Sequence, residues 1–559
     1  MNAPTPLWAQ SYAPGVPLSL EYGDRTVLDL FTDGLDEYGD RPAFDFLGKV
    51  TDYRTVAEAV ERVAGGLRAL GVKPGDNVAL LMPNCPQNVV AFLAVLRLGA
   101  TAVEHNPLYT AGELEAPFRD HEATVAIVWD KVVPVVESLR ATTSLEHVVA
   151  VDMTAELPLL KRLALRLPIA KARASRAQLT APAPGAIGWK QLLDSEPLEP
   201  SYPRPVTSDV ALLLYTSGTT GTPKGVPLKH SNLRANVLQG RAWLPGLETG
   251  KETFLVCLPL FHAYGVTASV LLGLSLKAKL VLLPKPEMSL VMEAIRRDVP
   301  GFLPAVPPLY RKIVETAEAE GISLQGIRYS LSGAMPLSEE LVERWESATG
   351  GILCEGYGLT ETSPVLVGNP MSKGRRPGSI GVPFPDTQVR IADLDDLDRD
   401  VPLGEPGELL AKGPQVFDGY RGLPEETAKA FHDGWFRTGD VVTMAPDGFI
   451  TVVDRIKEVI ITGGFNVYPS EVEDVLRGHE SIADVAVVGH RHTDGSEEVV
   501  AAVVMVEGHD VDRDALRDFS RIALTPYKVP RRFVRVDALP LNAMGKVLRR
   551  EVAALVKGR

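Results

Sequence analysis

Cysteine is nearly absent from this sequence. Cys85, Cys257 and Cys354 are three in 559 residues, far apart and never in a CxxC pair. This excludes a disulfide framework and a paired-cysteine zinc site, and it points to a reducing, cytoplasmic setting. Positive charge is not in excess either: 58 Lys+Arg stand against 71 Asp+Glu, a formal net charge of −13. A nucleic-acid binder carries a basic footprint, so RNA and DNA are excluded as expected partners. The N-terminal MNAPTPLWAQSYAPGVPLSLEYGDRT lacks the basic start and apolar run of a secretory signal, and none is expected. Internal repeats and low-complexity tracts are missing too. Residues 253–276 lack Asp, Glu, Lys and Arg, but Pro259, His262, Tyr264 and Gly265 interrupt them. A buried strand, a loop and a buried helix are expected there in place of a membrane span.

What is present is a large apolar content, 45% of the residues. It suffices for more than one core, so at least two domains are expected. The pattern DYRTVAEAVERVAGGLRALGV (52–72) has helical spacing, NVALLMP (77–83) reads as a buried strand, NVVAFLAVLRLGA (88–100) as a helix and ATVAIVW (123–129) as a strand. Such alternation implies a parallel sheet covered on both faces. From about residue 457 the pattern changes to a small α+β unit. SEVEDVLRGH and RDALRDFSRIAL read as helices, ADVAVVGH and EEVVAAVVMV as strands.

Residues 157–178 stand apart. They carry Lys161, Arg162, Arg166, Lys171, Arg173 and Arg176 and no acid; Pro168 interrupts any helix, and APAPGA (181–186) follows as a linker. A solvated surface insertion is the plainer reading. The sharper one is a basic patch that touches an anionic membrane.

The strongest chemical signal is YTSGTTGTPKGV (215–226), after the strand-like ALLLY. Thr216, Ser217, Thr219 and Thr220 supply hydroxyls, and Gly218, Gly221 and Gly225 let the backbone come close to phosphate oxygens. Lys224 adds a cation. The string is not a Walker loop, because Gly225 follows Lys224 and the spacing differs.

This string resembles the signature of the adenylate-forming superfamily: acyl-CoA synthetases, luciferases and peptide-synthetase adenylation domains. SGAMP (332–336) and EGYGLTET (355–362) resemble its adenine and α-phosphate segments. The resemblance implies nucleotide contacts from Gly333, Ala334, Met335, Glu355, Gly356, Tyr357, Gly358 and Thr360. The Tyr357 ring would lie against adenine, and Glu361 would hold Mg²⁺, a hard oxygen ligand for a hard cation. Asp440 of RTGD (437–440) matches the family's ribose-binding aspartate, with Arg455 as the second ribose contact. Lys457 falls at the family's hinge. Gly463 and Gly464 resemble the turn that lines its pantetheine channel. Lys546, in NAMGKVLRRE (542–551), matches the adenylation lysine that bridges substrate carboxylate and α-phosphate, although a lysine in a basic tail is ordinarily solvated. Thr216, Glu361 and Lys546 are the implied catalytic set. His262 of PLFHAYG (259–265) and Val306 of AVPPLY (305–310) would border the acyl pocket, although a lone histidine in an apolar run is ordinarily a core residue.

HNPLYTAGELE (105–115), GAMPLSEELVERWESATGGILCEGYGLTETSPV (333–365), GGFNVYPSEVEDVL (463–476) and GKVLRREV (545–552) resemble bacterial long-chain fatty acid CoA ligases in particular. The implied fold is a large multi-layer α/β domain with a β-barrel subdomain, 1–456, and a small mobile α+β lid, 457–559. The implied reaction uses ATP, Mg²⁺ and coenzyme A to turn a fatty acid into acyl-AMP and then acyl-CoA. An aromatic-acid ligase and a fatty acyl-AMP ligase loading a carrier protein stay open, as does assembly as a homodimer. A non-catalytic lipid or nucleotide binder would have lost Glu361, Asp440 or Lys546, and all three stand.

Overall fold

A computed structural model describes residues 5–216, 223–462, 465–491 and 497–557. Two large sheets form the body. The first runs, in spatial order, Ile187–Gly188, His147–Val151, Val125–Trp129, Asn77–Leu81, Thr101–Glu104, Val210–Thr216 and Lys224–Lys229. All its pairings are parallel except the last, a hairpin. The second has nine strands, with a parallel centre of Ile352–Gly358, Tyr329–Ser332, Phe302–Ala305, Thr253–Val256, Lys279–Leu282 and Pro42–Phe46. Antiparallel strands close both of its edges.

The helix Pro86–Arg97 joins them. All of its residues are buried, and its side chains share one core with strands of both sheets. A helix buried on every side belongs between layers, and its few polar side chains, Gln87, Asn88 and Arg97, are buried with it. Pro86 takes the first helical turn, where a missing N–H costs nothing. The preceding helix, Tyr53–Ala69, begins where the Asp52 carboxylate accepts from the Thr55 N–H at 2.7 Å.

The acid- and base-free stretch resolves as expected. Strand Thr253–Val256 leads through a loop to a π-helical turn, Gly265–Leu271, and a short helix, Leu272–Ser275, nearly all buried. Among the described residues no helix is long and apolar enough to cross a membrane. In place of the expected β-barrel subdomain, the described residues form a five-stranded antiparallel sheet of Gln388–Ala392, Gly407–Lys412, Phe431–His432, Trp435–Met444 and Ile450–Arg455, whose pairings do not close into a barrel.

A smaller α+β domain follows. Strands Ile482–Arg491, Glu497–Met505 and Arg532–Arg535 pack against helices Pro469–Arg477 and Arg513–Ala523 around a core of their own. The fold is therefore a large N-terminal α/β domain with a smaller C-terminal one. Residues 157–178 form the end of the loop after Glu156 and two short helices, Leu159–Leu165 and most of Ala170–Leu179, split at Pro168. Of their cations, Lys161 is exposed but paired. Its ammonium donates to Glu293 and to the Leu47 carbonyl, both at 3.0 Å.

Candidate active site

The loop after strand Val210–Thr216 is anchored by its flanks. Thr216 pairs with Lys224 across the hairpin, which returns the lysine to the loop's base. Ser217, Gly218, Thr219 and Thr220 lie outside the described residues, as do Gly463 and Gly464. The Lys224 ammonium is ion-paired with Glu426 and lies 4.9 Å from the centre of the Tyr420 ring. Lys224 and Lys429 together hold the Glu426 carboxyl down at about 2.

Tyr420 turns its hydroxyl the other way and donates to Glu361 at 2.9 Å. Glu361 sits in a single helical turn, Thr360–Thr362, and is buried. Burial raises its pKa; the Tyr420 hydroxyl, Arg455 and Lys224 oppose that shift. A divalent cation beside this carboxylate would offset the desolvation, and a hard oxygen donor suits Mg²⁺.

The adenine-type segment lies at the end of the nine-stranded sheet. Gly333 and Ala334 follow strand Tyr329–Ser332, and Ala334 takes a left-handed backbone at φ 67°. A Cβ on Gly333 would meet the Tyr264 ring at 3.0 Å, so the segment passes too close to that ring for a larger residue. Glu355, Gly356, Tyr357 and Gly358 belong to strand Ile352–Gly358, and Ser332 pairs with Glu355. Burial raises the Glu355 carboxyl to about 8. A Cβ on Gly358 would stand 1.8 Å from the Pro364 carbonyl oxygen, which leaves glycine as the residue that fits.

Asp440 and Arg455 are cross-strand partners, and the guanidinium Nε reaches the carboxylate at 2.9 Å. The Tyr357 hydroxyl donates to the other carboxylate oxygen. A carboxylate has acceptor capacity for two further donors after these. Lys457 follows in the turn between strands Ile450–Arg455 and Ile460–Thr462. Burial and the charges of Lys224 and Arg455 lower its pKa, against Glu426 and Glu361.

Lys546 comes from the far end of the chain. It lies outside the helix, half-buried, in a turn: the Asn542 side chain accepts from its N–H at 2.9 Å, its carbonyl accepts from the Asn542 N–H at 2.8 Å, and Gly545 supplies φ 79°. This turn is docked on the large domain. Met544 is buried in the same core as the two sheets, and a Cβ on Gly545 would lie 3.5 Å from the Met335 sulfur. Burial lowers the Lys546 ammonium, and Arg455 adds to that; Glu458 and Asp440 oppose it. Arg549, tied to Glu473 and to Glu458 at 2.7 Å, braces the helix after the turn against the hinge side.

On the other side, burial brings His262 down to about 4, so it is neutral at ordinary pH. Its ring nitrogen Nδ1 faces the Tyr264 N–H at 3.4 Å. Val306 caps helix Pro307–Glu320 and is half-buried. The π-helical turn beyond His262 borders a small cavity of about 30 Å³, lined by Trp243, Thr267, Ala268, Leu272, Met371 and Phe384.

The geometry thus brings Thr216, Lys224, Glu361, Asp440, Arg455, Lys457 and Lys546 into one neighbourhood. Sequence reasoning missed Tyr420, Glu426 and Met544. Tyr420 and Glu426 lie between motifs, and Lys224 meets Glu426 across 202 positions, a pairing that no local spacing encodes.

Comparisons with known proteins bear on the family and the fold. The AMP-binding enzyme family matches residues 31–421, and the AMP-binding enzyme C-terminal domain matches residues 471–546. A long-chain-fatty-acid–CoA ligase of Bacillus subtilis (strain 168) is 35% identical over 552 residues, covering 98% of this chain and 97% of the relative. One of Salmonella typhimurium is 36% identical, covering 99% of each. The ATP-bound crystal structure of MatB from Rhodopseudomonas palustris superposes with a TM-score of 0.79 at 27% identity, covering 95% of this chain and 99% of that one. Motifs, fold and both family matches coincide, and the chain belongs to the AMP-binding enzyme family.

Proposed function

We propose that this protein activates a medium- or long-chain fatty acid as an acyl adenylate and transfers the acyl group to coenzyme A. The observation that carries the proposal is the crowding of cations on one cleft. Lys224, Arg455, Lys457 and Lys546 lie close enough that neighbouring positive charges help to depress both Lys457 and Lys546. Lys224 and Arg455 are balanced by Glu426 and Asp440 here, and a polyanion such as ATP would take over part of that pairing. The choice of a fatty acid rests on the relatives' names.

In the first step the carboxylate attacks the α-phosphorus of ATP and pyrophosphate leaves. Lys546 sits where the two anions meet and offsets their charge. Thr216 and Thr360 donate to the phosphates, Asp440 accepts from the ribose, and Tyr357 with Gly333, Ala334 and Met335 borders the adenine. Glu361 would hold Mg²⁺, which neutralises phosphate charge when bound. Lys224 exchanges Glu426 for phosphate.

We place the domain boundary between residues 456 and 457. Rotation about Lys457 removes Lys546 and brings Gly463 and Gly464 to the cleft, so the CoA sulfur attacks the acyl carbonyl and AMP leaves. The fatty acid supply lies in an anionic bilayer on the cytoplasmic side, which residues 157–178 approach by charge. The test is ATP with oleate but no CoA: acyl-AMP and pyrophosphate should form, and added CoA should convert the adenylate to thioester. Pyrophosphate release that is independent of fatty acid would overturn the proposal.

A further inference from the structure

The helix Leu159–Leu165 is mounted backwards. A surface helix ordinarily turns its apolar stripe to the core and its charges to water. Here Leu159, Leu160 and Leu163, which share one face at 3.6 residues per turn, are 67%, 81% and 50% exposed. The opposite side faces the protein: Leu165 packs on the core, and Lys161 is held by Glu293 and the Leu47 carbonyl. Leu167 and Ile169, around Pro168, are equally open to solvent. Five large apolar side chains are therefore exposed within residues 159–169.

The next helix, Ala170–Leu179, turns Ala172 inward and leaves Lys171, Arg173 and Arg176 exposed, as Arg166 is before it. Among the described residues no ion pair ties these four cations to an acid. Exposed leucines bordered by unneutralised cations, with no acid and no aromatic anchor, match an anionic lipid surface better than a protein, whose binding centres favour Trp and Tyr.

We propose that residues 159–169 are a membrane wedge, with Leu159, Leu160, Leu163, Leu167 and Ile169 seated in the boundary between headgroups and acyl chains. Arg166, Lys171, Arg173 and Arg176 then lie at the lipid phosphates. This rests on the membrane contact proposed above and adds insertion to attraction. Charge alone gives binding that salt removes; inserted leucines give a part that salt does not remove.

The test is cosedimentation with vesicles of phosphatidylcholine and phosphatidylglycerol, and with phosphatidylcholine alone, at low and high salt. The parent should bind the anionic vesicles and keep part of that binding at high salt. Changing Leu159, Leu160, Leu163, Leu167 and Ile169 to Ser should weaken binding roughly tenfold or more and make the remainder fully salt-releasable. Changing Arg166, Lys171, Arg173 and Arg176 to Gln should remove the preference for anionic lipid. Both variants should adenylate a soluble short acid at the parent rate, which also reports correct folding. A Leu163→Cys variant carrying an environment-sensitive dye should shift its emission to the blue on adding vesicles; the three native cysteines are buried and do not compete for label. Parent-like binding by the serine variant, or an unshifted dye, would overturn insertion while leaving surface attraction standing. A parent that sediments with no vesicle would overturn the membrane contact itself. Self-association through this face in place of lipid binding would also overturn the wedge.

Discussion

The Tyr357 hydroxyl donates to the carboxylate of Asp440, 83 positions along the chain, and so ties strand Ile352–Gly358 to strand Trp435–Met444. Arg455 holds the second carboxylate oxygen at 2.9 Å. Asp440 is only 2% exposed, so its orientation is set by these two donors.

The Tyr357→Phe variant keeps the ring and loses the hydroxyl. A hydrogen bond to a charged group contributes about 1.5–3 kcal/mol. Lost positioning of Asp440 should raise the KM for ATP roughly tenfold, about 1.4 kcal/mol, with a smaller change in kcat. An unchanged KM for ATP would show that Arg455 alone sets the carboxylate.

The Lys546→Ala variant should lose adenylation by about 2.7–4 kcal/mol in activation free energy. It should still convert supplied acyl-AMP and CoA to thioester, because the role proposed for Lys546 is confined to the first step. Separate assays of the two half-reactions decide this. Equal loss in both contradicts the role.

The Lys457→Pro variant should do the reverse. Proline fixes φ near −65°, and a hinge that must change its angles is then locked. Acyl-AMP should accumulate while thioester formation fails. Normal thioester formation by the folded variant moves the hinge elsewhere.

Local features of the sequence carry the strands Asn77–Leu81 and Val125–Trp129, the buried helix Pro86–Arg97 and the lid's alternation, because each depends on a period or on a flanking proline or glycine. The loop after Thr216, whose residues 217–222 lie outside the described residues, is singled out by sequence because glycines and hydroxyls stand side by side there. Tyr420 and Glu426 are not, since they act on Glu361 and Lys224 through contacts made only when the chain is folded. Nor is the outward face of Leu159, Leu160 and Leu163: the basic stretch reads as a surface insertion, but which of its leucines meet solvent depends on how the helix is mounted on the body. Lys546 reads as a solvated tail lysine by composition, and only Met544 buried beneath its turn shows the tail docked.

Burial lowers the His262 pKa from 6.5 to about 4. The unfolded chain therefore takes up a proton between about pH 6.5 and pH 4 that the folded chain refuses. This group's contribution to stability is full above its unfolded value and is lost as pH falls through that window. The Tm should drop on acidification there, and His262→Asn should flatten part of that limb. Burial lowers His230 as well, to about 4, so the limb should not vanish. An identical Tm profile in parent and variant would show His262 to be solvated.

The most direct measurement is a substrate panel running from acetate to oleate and including aromatic acids, with ATP and CoA, read as AMP, pyrophosphate and acyl-CoA together. Medium- or long-chain fatty acids should give all three in equal amounts, with the highest kcat/KM in the panel. Preference for an aromatic acid, or AMP and pyrophosphate without any acyl-CoA, would contradict a fatty acid–CoA ligase.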